Sequence, residues 1–348
     1  MRGASIMKFM KNFLKISGAL LLAAMTFQMS TTISHAAEKS MNYQVKANLP
    51  TSQHDPKATY FDLRLKPEQE ETISIMVQNT DDQAHVFDVT PNTAITNENG
   101  VVDYSQANKK ADKTAPVNIS SIVSGDHKIT VPANSTHNAT FKIKMPAKAF
   151  DGVLLGGFNI AREGNDSAKS QKDSVTIRNK FAYVIGLRIT ENDTLVTPHL
   201  KMNEIKAGLI NYRTSVTTNL QNTKAVMISD MKVDAKIMKR GSTKVLHRTT
   251  KDNLAMAPNS NFNYAISWDN EALKAGKYTL DLTAAEKSGQ KWHFTRNFEI
   301  TSKKASQSNK DAVDLKKQTI NWWYIIGGIV LVILVGYIVY LKRKEKKN

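Results

Sequence analysis

Apolar and polar residues alternate with a period of two through most of the 348-residue chain. Residues 60–65, 72–78 and 139–145 each place their apolar side chains at every second position. Successive side chains of a β-strand point to opposite faces of the sheet, so this pattern predicts half-buried strands. Turn-forming clusters such as Asn97–Gly100 separate the runs. The chain is therefore predicted to be all-β and built from antiparallel sandwiches.

A polar stretch, residues 161–173, interrupts the strand pattern near the middle of the chain. It contains no bulky apolar residue, so it is either an interdomain linker or a long hairpin loop. We place a domain boundary there, which gives a first β-sandwich at 37–165 and a second at 166–300. Residues 273–280 are typical of a loop entering a late strand of an immunoglobulin-like module. The fold expected is two tandem immunoglobulin-like β-sandwich domains.

The N-terminus has the pattern of a secretory signal. A cationic leader precedes the apolar run 16–27, which is too short to span a bilayer, since a helix needs about 20 residues for that. Small residues at Ser34 and Ala36 fit a signal-peptidase site, with cleavage predicted after Ala36 and Ala37 as the alternative. We predict a signal peptide at 1–36; an uncleaved N-terminal anchor is the competing interpretation.

The C-terminal end predicts a transmembrane helix at 322–341, because this segment holds twenty residues without a charge. At the rise of an α-helix that length covers about 30 Å, the thickness of the hydrocarbon core. A buried core helix is the alternative. Aromatic residues expected at the two membrane interfaces are Trp322, Trp323, Tyr324, Tyr337 and Tyr340.

The tail at 342–348 is basic, and positive charge stays on the cytosolic side of a membrane. The residues expected to stop transfer are Lys342, Arg343 and Lys344. The chain is thus predicted to be a single-pass protein of the cell membrane with its large N-terminal part outside and its C-terminus in the cytoplasm. Residues 301–321 are polar and predict a flexible stalk.

Charge is distributed unevenly between the two predicted domains. The net charge of the chain is +17, but 37–165 carries 13 basic and 15 acidic residues, or −2, whereas 166–300 carries 21 and 13, or +8. A basic surface favours anionic partners, and export argues against nucleic acid. The basic residues around one predicted strand–turn–strand unit form a candidate binding surface: Lys232, Lys236, Lys239, Arg240, Lys244 and Arg248. A solvated, aggregation-resistant edge is the alternative interpretation.

The sequence carries no signature of an enzyme or a cofactor site. It has no cysteine, which excludes disulfides, thiol nucleophiles and Cys-ligated metals. Catalytic and nucleotide-binding motifs such as G-x-S-x-G, H-E-x-x-H and G-x-G-x-x-G are absent. Oxygen-bearing residues between Asn97 and Asp103 do not match a calcium loop, and a polar turn is the preferred interpretation. No catalysis, cofactor or metal is expected.

Several short phrases, in this order, resemble the WxL-interacting proteins of Gram-positive bacteria. They are Tyr60–Leu63, Asn97–Tyr104, Met145–Pro146 with Phe150–Gly157, Asn179–Gly186 and Met256–Phe262. The resemblance covers nearly the whole chain. It implies a peptidoglycan-binding domain followed by a host-binding domain, and partnership with secreted WxL-domain proteins. It transfers no ligand-contacting residues.

The predicted function is accordingly a membrane-anchored surface scaffold that binds WxL proteins, peptidoglycan or another wall polymer, and a host extracellular-matrix protein. An extracytoplasmic chaperone or assembly factor, which would hold client strands at an exposed sheet edge, is the main alternative. A wall hydrolase is the second alternative.

Overall fold

The protein is described by a computed structural model over the residues 41–107, 109–164, 181–316 and 322–345. The predicted signal peptide lies outside these residues. Residues 44–348 form one compact unit. The predicted all-β class is confirmed, since strands dominate the described residues.

The first sandwich is formed by two facing sheets. Its strands are β1 Tyr43–Asn48, β2 Phe61–Arg64, β3 Glu70–Asn79, β4 His85–Thr93, β5 Ile95–Thr96, β6 Val102–Asp103, β7 Val123–Gly125, β8 Lys128–Val131, β9 Thr136–Lys144, β10 Leu154–Arg162 and β11 Ala182–Thr190. One sheet has the order β1-β3-β9-β7 and the other β2-β11-β10-β4-β8, while β5 and β6 form a separate ribbon. A short helix, α1 Ile119–Ile122, precedes β7. The sheets meet at Phe141 and Phe158, whose ring centroids lie 4.7 Å apart.

The strand β11 corrects the predicted domain boundary. It pairs antiparallel with β10 from Leu154↔Ile189 to Ala161↔Ala182, and parallel with β2. The boundary predicted after residue 165 assigned this strand to the second domain. It belongs to the first, because Ile185, Leu187 and Ile189 alternate into that core. The polar stretch thus connects two strands of one sheet, which favours the hairpin interpretation over the linker.

The second sandwich also consists of two facing sheets. Its strands are β12 Leu200–Ile210, β13 Arg213–Asn222, β14 Ile228–Lys239, β15 Val245–Met256, β16 Ser260–Ser267, β17 Gly276–Ala285 and β18 Lys291–Ile300. The sheet orders are β12-β13-β16 and β15-β14-β17-β18. Both sheets contribute to one buried apolar cluster that includes Val216, Tyr264 and Leu280. Tyr264 keeps its hydroxyl satisfied there by donating to the carbonyl of Val233 at 3.2 Å.

The segment predicted as a flexible stalk contains a helix, α2 Ser302–Asp311, that packs on the second sandwich. The prediction was wrong for these residues because small side chains allow close contact: Ala305 and Ser308 are buried. The Thr301 hydroxyl caps the helix by accepting from the N–H of Lys304. Asn309 accepts from the N–H of Leu273 at 2.7 Å and donates to its carbonyl at 2.9 Å. A polar sequence can therefore dock through specific hydrogen bonds.

A final helix, α3 Trp322–Glu345, contains the segment predicted to cross the membrane. Within the residues that the structure describes, no helix meets the combined requirement of length and hydropathy for spanning a bilayer. The span at 322–341 stays a prediction. Of the aromatic residues predicted at the membrane interfaces, Tyr337 is described and is exposed. The described side chains do not include Trp322, Trp323, Tyr324, Tyr340 or the basic tail.

The two sandwiches are joined by backbone contacts that leave little room for side chains. The N–H of Val153 donates to the carbonyl of Ala225 at 2.7 Å, and that of Ala255 to Gly100 at 2.7 Å. The neighbouring Gly152 has φ +88°, and a Cβ there would lie 2.1 Å from the Ala225 oxygen. Any larger residue at 152 would be strained and would collide with the second sandwich.

Asp112 is the charged centre of this junction. Its carboxylate accepts from Gln221 at 2.9 and 3.1 Å and from Asn261 at 2.6 Å, both on the second sandwich. It also accepts from the backbone N–H and the hydroxyl of Thr114. Burial alone would raise the pKa of Asp112, but these hydrogen bonds outweigh burial and lower it. A carboxylate satisfied in this way stabilises the junction only while it is ionised.

The first prediction concerns the pH dependence of this junction. A lowered folded-state pKa means that Asp112 adds stability above its unfolded pKa, near 3.8, and loses it as the pH falls through the folded value. Asp112→Asn should lower the free energy of unfolding at neutral pH by about 1–3 kcal/mol. The difference from wild type should shrink as the pH falls below the unfolded value. Denaturant unfolding across pH measures it, with exposed Asp82→Asn as the control. A pH-independent difference would refute the role of the charge.

The second prediction concerns the placement of β11. Leu187 is fully buried, so Leu187→Ala should cost about 2–5 kcal/mol. Hydrogen exchange should then accelerate in Phe61–Arg64 and Leu154–Arg162, the strands that flank β11. Leu195→Ala is the matched control, because Leu195 is 97% exposed and its loss should change stability by less than about 0.5 kcal/mol. Faster exchange confined to the second sandwich would contradict the assignment.

Candidate binding surfaces

Three of the six predicted basic residues lie among acidic partners on the outer face of one sheet. Lys236 on β14 stands opposite Arg248 on β15. Asp234 lies two residues before Lys236 on β14 and on the same face. Its carboxylate accepts from Arg248 Nε at 2.8 Å and Nη2 at 3.0 Å, and lies 3.5 Å from Lys236 Nζ. Lys232 pairs with Asp252 at 3.1 Å. The hydrogen bond from Arg248 is the main reason that the pKa of Asp234 is lowered. This part of the predicted surface is therefore largely neutralised.

The other three predicted residues, Lys239, Arg240 and Lys244, lie around the β14–β15 turn. In the described part of the chain, no carboxylate lies within 4.0 Å of their charged groups. The backbone N–H of Arg240 donates to the carbonyl of Lys277 at 3.0 Å, so a fourth basic residue stands beside this turn. We call Lys239, Arg240, Lys244 and Lys277 the basic end. Lys277 was not predicted, since it is distant in sequence and reaches the turn only through the pairing of β14 with β17.

A second surface, on the first sandwich, is a groove that the sequence analysis did not predict. It has a volume of about 1380 Å³ and is lined by residues of β1, by β11 and by the segment before β2. Its lining combines tyrosines, aliphatic side chains and cations, and includes Lys46, Lys57, Tyr60, Tyr104, Tyr183, Val184, Arg188 and Met227. We call it the tyrosine groove. Rings and cations lining one elongated hollow are suited to a ligand that is part apolar and part anionic.

Gly186 lines the tyrosine groove, and Gly157 lies next to it beneath the Tyr104 ring. Gly157 on β10 stands directly opposite Gly186 on β11. A Cβ at 157 would lie 3.1 Å from Cδ1 of Tyr104 and 3.2 Å from Cγ1 of Val184, and a Cβ at 186 would lie 3.5 Å from Cβ of Tyr60. The Tyr104 ring therefore lies against the sheet because residue 157 has no side chain. This explains the glycine-rich stretch 152–157 as a means of close packing.

The polar groups of the tyrosine groove are held in place by neighbours. Arg188 donates to the carboxylate of Asp62 at 2.6 Å, and the Asp62 side chain is almost fully buried. The backbone carbonyl of Tyr104 accepts from Asn92 Nδ2 at 2.8 Å. Burial raises the pKa of Tyr104, and the nearby Tyr60 hydroxyl raises it further. The Tyr104 ring thus stays a neutral hydroxyl donor at physiological pH.

The turn at Asn97–Asp103 uses its oxygens internally. Asn97 Oδ1 accepts from the N–H groups of Asn99 at 3.0 Å and Val101 at 3.2 Å, and Asp103 Oδ1 accepts from Ser105 at 2.7 Å. These contacts are those of a polar turn. The residues that the structure describes contain no group of three or more His, Asp or Glu arranged to hold a metal ion.

Comparison with known families matches both halves of the chain. Residues 43–162 match the model described as WxL Interacting Protein, peptidoglycan binding domain, and residues 172–310 match WxL Interacting Protein, host binding domain. The chain belongs to the WxL-interacting protein family. The family resemblance predicted from the sequence is thereby confirmed. In this WxL-interacting protein the host-binding match also includes β11, which the fold assigns to the first sandwich, and most of α2.

Other comparisons add little. No curated protein matches this WxL-interacting protein. Among solved structures, it is similar to the CsuC–CsuE chaperone–tip adhesion subunit complex of Acinetobacter baumannii, with 10% identity, a TM-score of 0.30 and coverage of 68% of this chain and 94% of that one. It is also similar to the YadV chaperone, with 10% identity, a TM-score of 0.29 and coverage of 74% and 100%. Scores this low support no inference about fold or function.

Four residues at the tyrosine groove come from the phrases that carry the family resemblance. Tyr60 ends the segment before β2, Tyr104 follows β6, Gly157 lies in β10 and Gly186 in β11. These four positions are dispersed over more than a hundred residues, so spacing in the sequence gives no sign that they meet. The one indication in the sequence that these positions share a site is that each lies in a different phrase of the family resemblance.

Proposed function

We propose that this protein is a cell-surface binding protein that holds wall glycan in the tyrosine groove of its first sandwich. Membership of a family with domains named for peptidoglycan and host binding supports a binding role at the cell surface. The observation that carries the assignment to one surface is the convergence of Tyr60 and Tyr104 with Arg188 along the groove.

The chemistry of the groove suits a glycan strand with carboxylate substituents. The C–H faces of sugar rings are apolar and pack on tyrosine rings, whose hydroxyls remain free to hydrogen-bond at the ring edges. Asp62 neutralises the charge of Arg188 and engages its Nη1, so Arg188 contributes its remaining N–H donors to a ligand carboxylate, whereas Lys46 and Lys57 supply the positive charge. The first domain carries a net negative charge, which alone would disfavour an anionic ligand. The two lysines give the groove a local positive charge in spite of this.

Membrane anchoring and the remaining partners belong to the same proposal. The uncharged segment 322–341 and the basic tail favour a single span with the sandwiches outside and the C-terminus in the cytoplasm. Secreted WxL-domain proteins and a host matrix protein are the proposed protein partners, and no catalysis is assigned. Alkaline extraction tests the anchor: a protein that leaves the membrane pellet would refute it.

The third prediction tests the tyrosine groove. Tyr60→Ala and Tyr104→Ala should each weaken binding of purified soluble glycan strands by roughly fivefold or more, since one stacked ring contributes about 1–3 kcal/mol. Tyr212→Ala is the matched control, because Tyr212 is 69% exposed and lies on the second sandwich. Titration calorimetry on the full chain in detergent gives the affinities.

Two outcomes would count against this assignment. Equal losses in all three variants, or no loss in Tyr60→Ala and Tyr104→Ala, would remove the groove as the glycan site. Release of soluble fragments from intact wall by the full chain would instead favour a wall hydrolase.

A further inference from the structure

The second sandwich has two different ends. Strand registers bring the β12–β13 turn, the β14–β15 turn, the start of β17 and the end of β18 to one of them. The opposite end contacts the first sandwich, through Ser260, Ala225 and Ala255. The basic end therefore lies on the side of the second sandwich away from the first sandwich.

The positive charge at this end is not balanced by close ion pairs. Among the described residues, Lys239, Arg240, Lys244 and Lys277 have no carboxylate within 4.0 Å of their charged groups. Four acidic residues also lie at this end. Asp269 pairs with His247 at 3.0 Å and Asp314 with Arg213 at 3.7 Å. Glu271 and Glu299, the latter opposite Lys277 in the strand register, have no cation within 4.0 Å among the described residues, so they offset only part of the positive charge of this end. Further lysines, 303 and 304, lie in the first turn of α2, which begins where β18 ends.

The chain leaves the second sandwich from this same end. After α2, the N–H of Val313 donates to the carbonyl of Tyr212 at 2.9 Å, and the N–H of Lys316 to that of Asn270 at 2.8 Å. Both acceptors lie in loops of the basic end. Only residues 317–321 separate Lys316 from Trp322, and a fully extended chain covers about 20 Å over that distance.

We propose that the basic end docks on the anionic lipid headgroups of the membrane in which the chain is anchored. The inference rests on the proposed membrane span at 322–341. If that span is correct, the short connection holds the four basic residues close to the headgroup phosphates. Attraction between such residues and an anionic surface acts within about 8 Å at physiological ionic strength, so docking requires this proximity.

Docking would have a defined consequence for the tyrosine groove. The first sandwich contacts the end of the second sandwich that is opposite to the basic end. Fixing the basic end on the membrane therefore directs the first sandwich outward, toward the wall. The charges that the sequence assigned to an anionic partner serve here to orient the protein.

The test uses the full chain reconstituted in vesicles. Because the chain contains no cysteine, a single Thr243→Cys places one donor fluorophore in the β14–β15 turn. Gln290→Cys places it at the opposite end, in the β17–β18 turn. Energy transfer to an acceptor on lipid headgroups is compared between vesicles of phosphatidylcholine and vesicles of phosphatidylcholine mixed equally with phosphatidylglycerol.

Transfer from residue 243 should rise in the anionic vesicles, and transfer from residue 290 should not. The triple variant Lys239→Glu, Arg240→Glu and Lys244→Glu should return the transfer to the level seen in neutral vesicles, as should high salt. Each basic residue near an anionic surface strengthens binding by roughly fivefold, so the triple change is expected to abolish docking. The control triple Lys201→Glu, Lys287→Glu and Lys291→Glu changes net charge equally at the opposite end and should retain it.

Two results would overturn the inference: transfer from residue 243 that does not depend on lipid charge, or an equal loss in the control triple. Failure of the anchor is seen separately, as release of the chain from neutral vesicles by an alkaline wash. In that case co-sedimentation of the unanchored chain with anionic vesicles decides the lipid contact. Docking is supported if the wild-type chain and the control triple co-sediment and the triple variant of the basic end does not. It is refuted if the wild-type chain does not co-sediment.

Discussion

The antiparallel pairing of β10 with β11 is the constraint on which the other features depend. It places Ile185, Leu187 and Ile189 in the first core and sets Gly157 opposite Gly186. That glycine pair gives the sheet a bare outer face, on which the rings of Tyr60 and Tyr104 can lie. The same strand supplies Val184 and Arg188 to the groove. Without this pairing there would be no tyrosine groove and no complete first sandwich.

The charge that each surface of this protein presents depends more on the distances between its cations and carboxylates than on the net charge of the domain. Asp234 holds Arg248 in two hydrogen bonds, so a strand that is basic in sequence is close to neutral on its outer face. At the β14–β15 turn the described structure offers no such partner, and the positive charge remains available. In the first domain, whose net charge is negative, two lysines line one groove beside Arg188, whose own charge Asp62 neutralises. Each surface therefore differs from the average of its domain, and the partners proposed for it follow from the local charge.

Much of the architecture could be predicted from the sequence because strand periodicity is a local property. The alternation in 60–65, 72–78 and 139–145 corresponds to β2, β3 and β9. Which sheet a strand joins is not local, and the assignment of 182–190 failed for that reason. Helix α2 was missed because its docking depends on the small residues Ala305 and Ser308 and on Asn309, and none of these produces an apolar stripe. The tyrosine groove was missed because its residues come from separate strands and loops.

The central claim is that wall glycan lies in the tyrosine groove of the first sandwich. Hydrogen–deuterium exchange of the full chain, with and without soluble glycan strands, tests it most directly because every surface is compared at once. The account predicts slower exchange in peptides that cover 56–60, 104–107 and 183–188, with no change in 228–256. Protection confined to the second sandwich, or no protection at saturating glycan, would contradict it.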